Sequence, residues 1–115
     1  MVMKQVSKII IAELNDMAQK MYGTLVKAVI DIEKNAMVVD AELHADEEAY
    51  LLEHGSKQKD LWGINLYPAK FGTDDFIEYD SMINIRPSQN NMTRGVEDKT
   101  TRETIIKIVS EKVTK

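Results

Sequence analysis

Cysteine is absent from the 115 residues, which excludes disulfides, thiolate metal sites and zinc-finger modules and is compatible with a reducing compartment. Proline occurs only twice, at Pro68 and Pro87, so each marks a place where a β-ladder must stop. Long apolar runs are also missing. The stretch Ile9 to Ala12 is far short of the roughly 20 residues a membrane span needs, and the amino terminus carries no signal-peptide h-region. The expectation is a soluble, cytoplasmic chain with no membrane partner. Glycine-rich phosphate loops, nucleophile elbows and the H-E-x-x-H zinc signature do not occur, so no cofactor and no metal is expected. Lysine and arginine number 15 against 19 aspartate and glutamate, and a net charge of -4 speaks against a whole-surface nucleic-acid binder.

What is present suffices for one core. At 43% hydrophobic content, residues 1–115 read as a single domain. Charge is uneven along it. Residues 31–53 carry eight acids against Lys34, whereas residues 86–115 are net basic. A solvated acidic flank and an amphipathic terminal helix account for this asymmetry.

Val6, Ile10, Leu14, Met17 and Met21 recur at helical spacing and predict a helix over about 9–22, stopped by Gly23, with room for a short strand near Lys4 to Val6. From Thr24 the period becomes two. Val26, Ala28, Ile30 and Ile32 form one strand face, Glu33-Lys34-Asn35 a tight turn, and Met37, Val39, Ala41 and Leu43 the returning strand. Asp46 is the expected N-cap of a short helix over 47–54 that Gly55 ends, with His54 in a structural place beside it. Trp62, Ile64 and Leu66 alternate up to Pro68. Ile77, Tyr79, Ile83 and Ile85 share a face if the strand runs unbroken through Asp80-Ser81, whereas a bulge there would swap the faces of its second half. Thr100 with Glu103 fits a capping box for a last helix whose stripe is Ile105, Val109 and Val113.

The economical solution is α+β: a four-stranded antiparallel sheet from two hairpins, with the N-terminal, short middle and C-terminal helices packed on one face. Val26, Ile30, Val39, Leu43, Ile64, Ile83, Ile85, Ile105 and Val109 are then expected in the core. The other face would carry Lys27, Asp40, Glu42, His44, Asn65, Tyr67, Glu78, Asn84 and Arg86.

The segments VKAVIDIEK, ELHADEEAYLLEHGSKQKDLWGINLYP and FIEYDSMINIRPSQNNMTRGVED resemble a family of small bacterial and archaeal proteins known only as a domain of unknown function. The similarity runs from about Gly23 to Val109, with LWGINLYP and INIRPSQ its most specific phrases. It implies a single domain and a prokaryotic source and carries no activity with it.

Three constellations could carry chemistry. Glu42-x-His44-x-Asp46 offers oxygen and nitrogen ligands at strand spacing, although Asp46 is already explained as a cap. Glu42, His44 and Arg86 on one polar face would supply a base, an acid and a guanidinium, the parts of a metal-independent ribonuclease-like hydrolase of toxin type. Arg86 and Arg94 bracket a polar loop in which Ser88, Gln89 and Asn91 could complete an anion or phosphate cradle, unless Arg86 pairs instead with Glu78 or Asp80. Whether the chain is an enzyme stays open at this point. A non-enzymatic binding or regulatory protein is preferred, because no activated nucleophile or complete acid/base set is visible. Its partner would be an anionic ligand, a nucleic acid or another protein, with a homodimer as an open alternative.

Overall fold

The computed structural model describes residues 3–115. Its elements follow the order β1 (Lys4–Gln5), β2 (Ile9–Ile10), α1 (Ile11–Met21), β3 (Val26–Asp31), β4 (Ala36–Val39), α2 (His44–Glu53), β5 (Leu61–Leu66), β6 (Ile77–Glu78), α3 (Lys99–Lys112) and β7 (Val113–Thr114). The fold is α+β with an antiparallel sheet, as expected, but the sheet has five strands rather than four, in the order β1-β4-β3-β5-β6. The fifth is β1, which pairs Lys4 with Val39 and Gln5 with Val38. A separate parallel pairing of Ile9 with Val113 and Ile10 with Thr114 ties the two ends of the chain together; no sequence pattern announced it.

Local chemistry explains the parts that were legible. Leu14 and Ala18 are the buried residues of α1, and the Tyr22 and Gly23 amides close the helix on the Ala18 carbonyl, Gly23 at φ 87°. The β3–β4 turn is held from below by Asp31, whose Oδ1 accepts the Glu33 and Lys34 amides at 2.9 Å each while Oδ2 accepts the Ser56 hydroxyl at 2.6 Å. Asn35 takes the left-handed conformation of that turn.

Alternation along β3 sorts its side chains to two faces. Val26, Ala28 and Ile30 join Leu14 of α1 and Ile105, Ile108 and Val109 of α3 in the larger core. Val29 joins Val38, Leu61 and Leu51 of α2 in a second, smaller one. The expectation that all three helices pack on one face is therefore corrected: α2 covers the face opposite α1 and α3, and much of the anticipated polar face is roofed.

The remaining corrections concern where strands end. β4 stops at Val39 because Asp40 adopts φ 73° and turns the chain out of the ladder. Leu43, expected in the core, is instead the N-cap residue of α2 and is 53% exposed; Asp46, expected as the cap, lies in the helix's first turn. In α3 the cap is Asp98 rather than Thr100, its Oδ2 accepting both the amide and the hydroxyl of Thr101 at 2.8 Å.

The largest difference is after β6. The strand does not run through Asp80-Ser81; Ser81 caps a short 3-10 turn, Met82–Asn84, and the faces of the second half are exchanged. Asn84 and Arg86 are buried, Ile83 is half-buried and Ile85 is 39% exposed. The reason lies across the sheet edge. Ser81 stands over Gly63, where a Cβ would come within 2.6 Å of the serine Cβ, so only glycine allows the approach. The Asn84 carboxamide then pairs with both backbone groups of Gly63: its Oδ1 accepts the amide at 2.8 Å and its Nδ2 donates to the carbonyl at 2.9 Å. A side chain thus continues the ladder that β6 begins at Asn65 and Leu66.

Replacing Asn84 with alanine leaves buried Gly63 groups without partners, and the expected loss is about 2 to 5 kcal/mol in urea unfolding. Ile85→Ala, at an exposed position, should lose less than about 1 kcal/mol. Equal losses at the two positions would mean that the isoleucine, not the amide, anchors this segment.

Candidate functional site

His44 opens α2 and is buried against Gly63, whose built Cβ would lie 3.2 Å from the imidazole Cδ2. Its Nε2 is 2.7 Å from the Ile64 carbonyl; a carbonyl only accepts, so Nε2 carries the proton and the lone pair of the neutral ring is on Nδ1. Burial holds this imidazole below its ordinary range. Lys27 and Arg94 push the same way, against the Ile64 carbonyl and Asp80. One turn later Glu47 is fully buried, its Oε2 accepting the Ala41 amide at 3.1 Å, and burial pushes its carboxyl well above the usual range.

The other two members of the acid/base trio have contacts of their own. Glu42 lies in the turn before α2, exposed, and its backbone carbonyl accepts the Tyr22 hydroxyl at 2.5 Å. Arg86 is engaged by the carbonyls of Gln58 and Leu61 and not by His44 or Glu42. The strand that would have aligned Glu42, His44 and Asp46 ended at Val39, and among the described residues no three His, Cys, Asp or Glu side chains come together to hold a metal ion.

The bracketed loop is built inward. Arg86 is buried with its guanidinium carbon 4.0 Å above the Trp62 ring, donating through Nη1 to the Gln58 carbonyl and through Nη2 to the Leu61 carbonyl at 2.5 Å. Arg94 is exposed and donates through Nε to Asp80 at 2.6 Å. The two guanidiniums therefore have separate partners and do not converge. Asn91 is a loop organiser: Nδ2 reaches the carbonyls of Asn84, Thr93 and Gly95, and Oδ1 accepts the Glu97 amide. Gln89 donates to the Lys59 carbonyl at 3.0 Å, and Ser88 is exposed at the turn.

A larger concavity lies on the opposite side of the sheet. Between α3 and residues 71–79 is a cleft of about 670 Å³, within the size range of small-molecule pockets. Lys99, Arg102, Ile106, Val109 and Val113 recur at spacings of three and four and so present one face of α3 to it. Phe71, Phe76, Ile77 and Tyr79 form the facing wall. Ile106 is 46% exposed, with apolar surface open to the cleft. Arg102 is anchored through Nη1 to the carbonyls of Val96 at 2.6 Å and Glu97 at 3.0 Å, and Lys99 forms no salt bridge among the described residues. Burial raises the Tyr79 phenol above its ordinary value, and the positive charge of Arg102 opposes the shift. Asp74 and Glu103 also lie on the rim. A second cleft of about 390 Å³, between α1 and the turn Pro68–Lys70, has Lys70 as its one charged lining residue.

Sequence reasoning placed Tyr79 on a strand face with Ile77 and did not single out Lys99, Arg102 or the phenylalanines. The signal was there in α3, where a mixed stripe from Lys99 to Val113 runs beside the apolar stripe of Ile105, Ile108 and Val109.

A family model described as a protein of unknown function, DUF5674, matches residues 2–112. The chain belongs to that family. No curated protein and no solved structure gave a match. Membership agrees with the resemblance to a domain of unknown function, and leaves geometry as the guide to function. No helix among the described residues is long and apolar enough to cross a membrane.

The two buried titratable groups make stability depend on pH in opposite senses. Glu47 holds its proton more tightly when folded, so from its ordinary value of 4.5 up to its raised folded value stability falls as pH rises. His44 binds its proton less tightly when folded, so from 6.5 down to its lowered folded value stability falls as pH falls. In urea titrations, Glu47→Gln should abolish the first slope and keep the second. A fall of stability with rising pH that survives above pH 4.5 in the variant assigns that slope to another group.

Proposed function

We propose that this chain is a small non-enzymatic binding protein whose ligand is an amphipathic molecule with an acidic head group, taken up in the cleft between α3 and residues 71–79. The observation that carries the reading is the pairing, in one cavity of ligand size, of an apolar body site with Lys99 and Arg102 at the first turn of α3. Two cations one turn apart favour a carboxylate, sulfonate or phosphate, and the positive end of the helix dipole adds to them. Asp74 and Glu103 on the same rim disfavour a second negative charge on the ligand's body.

The anionic ligand expected at the Arg86–Arg94 loop is thereby moved to α3. Arg86 has both terminal nitrogens on backbone carbonyls and Arg94 is paired through Nε with Asp80, so the two guanidiniums have different partners and do not form one cradle. Arg102 forms no salt bridge among the described residues and has only Nη1 engaged, on backbone carbonyls, which leaves its other donors for a ligand.

Anilinonaphthalene sulfonate is a suitable probe, an apolar body with one fixed negative charge. Backbone NMR shifts on titration should concentrate at residues 71–79 and 99–113. Lys99→Glu should weaken the probe about tenfold, the effect of one charge-assisted contact reversed. Ile106→Glu, which places a carboxylate in the body site, should abolish the shifts while leaving the rest of the spectrum in place. Shifts that scatter over the surface, or that are unchanged in both variants, would refute the cleft as the binding site.

A further inference from the structure

The two walls of the cleft differ in kind. On the side of α3 and β7 the apolar lining is aliphatic, Ile106, Val109 and Val113; on the facing segment it is mainly aromatic, with Ile77 the aliphatic exception. Both phenylalanines of the chain, Phe71 and Phe76, lie there with Tyr79, in a protein with only 6% aromatic residues. Phe71 and Phe76 meet edge to face, ring centroids 5.2 Å apart and planes at 85°. Phe76 is buried, whereas Phe71 and Tyr79 are half-buried and keep ring surface toward the cleft. An edge-to-face pair extends readily by a third ring, because each ring presents a positive edge or a negative face that complements another aromatic better than it does a saturated chain.

The polar end points to the shape of the head group. Tyr79 lines the cleft from the aromatic wall and Arg102 lines it from the first turn of α3, so a phenol and a guanidinium border one cavity. A flat acid with two acceptor oxygens can take both donors at once, which a spherical monovalent anion cannot do as well.

We infer that the ligand of this cleft is an aryl carboxylate, its ring set against Phe71 and Tyr79 and its carboxylate shared between Arg102 and the Tyr79 hydroxyl. This inference rests on the assignment of the cleft as a binding site for an acidic amphipath and names the chemical class.

The test is a three-compound NMR titration of the full chain with 3-phenylpropionate, 3-cyclohexylpropionate and 3-phenylpropanol. The saturated acid is the more apolar, so simple burial predicts that it binds more tightly; an aromatic site predicts that the phenyl acid does, by about threefold or more. The alcohol, lacking the charge, should bind about tenfold more weakly than the phenyl acid. In Phe71→Leu, which keeps an apolar side chain at a half-buried position, the phenyl preference should vanish while binding of the cyclohexyl acid persists. Tyr79→Phe should weaken the phenyl acid and leave the alcohol unchanged.

A cyclohexyl acid that binds as well as or better than the phenyl acid, or a phenyl preference that survives Phe71→Leu, overturns the aryl assignment and leaves the cleft reading standing. Absence of shifts at residues 71–79 and 99–113 with all three compounds and with the sulfonate overturns both.

Discussion

The pairing of one side-chain amide with one glycine holds the second half of this chain in place. Asn84 presents its carboxamide to the amide and carbonyl of Gly63 as a peptide unit of a neighbouring strand would, and its Nδ2 also reaches the Arg94 carbonyl. Removing a strand from a sheet edge leaves donors and acceptors that must be satisfied otherwise. Here Asn84 serves Gly63 and Arg86 serves Leu61, so two side chains do the work of several residues of backbone. The arrangement frees the main chain after β6 to curl through Ser81–Asn84 and return toward α3, with Asn91 collecting the carbonyls along the way. The wall of the cleft is set at the start of this route, since Ile77 lies in the last rungs of the backbone ladder and Tyr79 directly follows its end.

Buried polarity on the α2 side has the same origin. His44 and Ser81 both lie on the space that Gly63 leaves open, and Glu47 closes the turn that Asp40 makes out of β4. Each group is tied to a backbone partner, which fits a role in shaping the fold. A carboxyl as deeply buried as Glu47 is most stable neutral, because desolvation penalises the charged form more than one amide contact can return. The larger core on the other face is almost wholly apolar, and the cleft opens at its margin where α3 meets the 71–79 segment.

Much of the fold was legible because local patterns agreed with their surroundings. The existence of α1, the β3 alternation, the Asn35 turn and the Pro68 stop each depend on residues near in sequence, although of the expected α1 stripe only Leu14 is a buried helix residue and Ile10 lies in β2, 44% exposed. Misreadings arose where a distant partner decided the matter. Ile77, Tyr79, Ile83 and Ile85 fit a period of two, yet Asn84 and Arg86 are the buried residues because groups on β5 some twenty residues earlier bind them. A polar side chain that satisfies backbone groups is indistinguishable in sequence from one that faces water. The same limit affected the site: Arg86, Asn91 and Arg94 have the composition of an anion cradle, and only three-dimensional placement reveals that Arg86 and Asn91 donate into the protein while exposed Arg94 pairs with Asp80. Lys99 and Arg102 looked like ordinary solvated helix charges until the 71–79 wall came opposite them.

The guanidinium of Arg86 over Trp62 gives the molecule a built-in optical reporter. Trp62 is the sole tryptophan, and a cation fixed 4.0 Å above its indole perturbs the excited state in a way solvent does not. Because Arg86 is anchored to both Gln58 and Leu61, that perturbation persists only while the 81–91 segment is docked on the edge of β5. The emission of one residue therefore distinguishes detachment of this segment from global unfolding, and makes local opening of the sheet edge observable without a label.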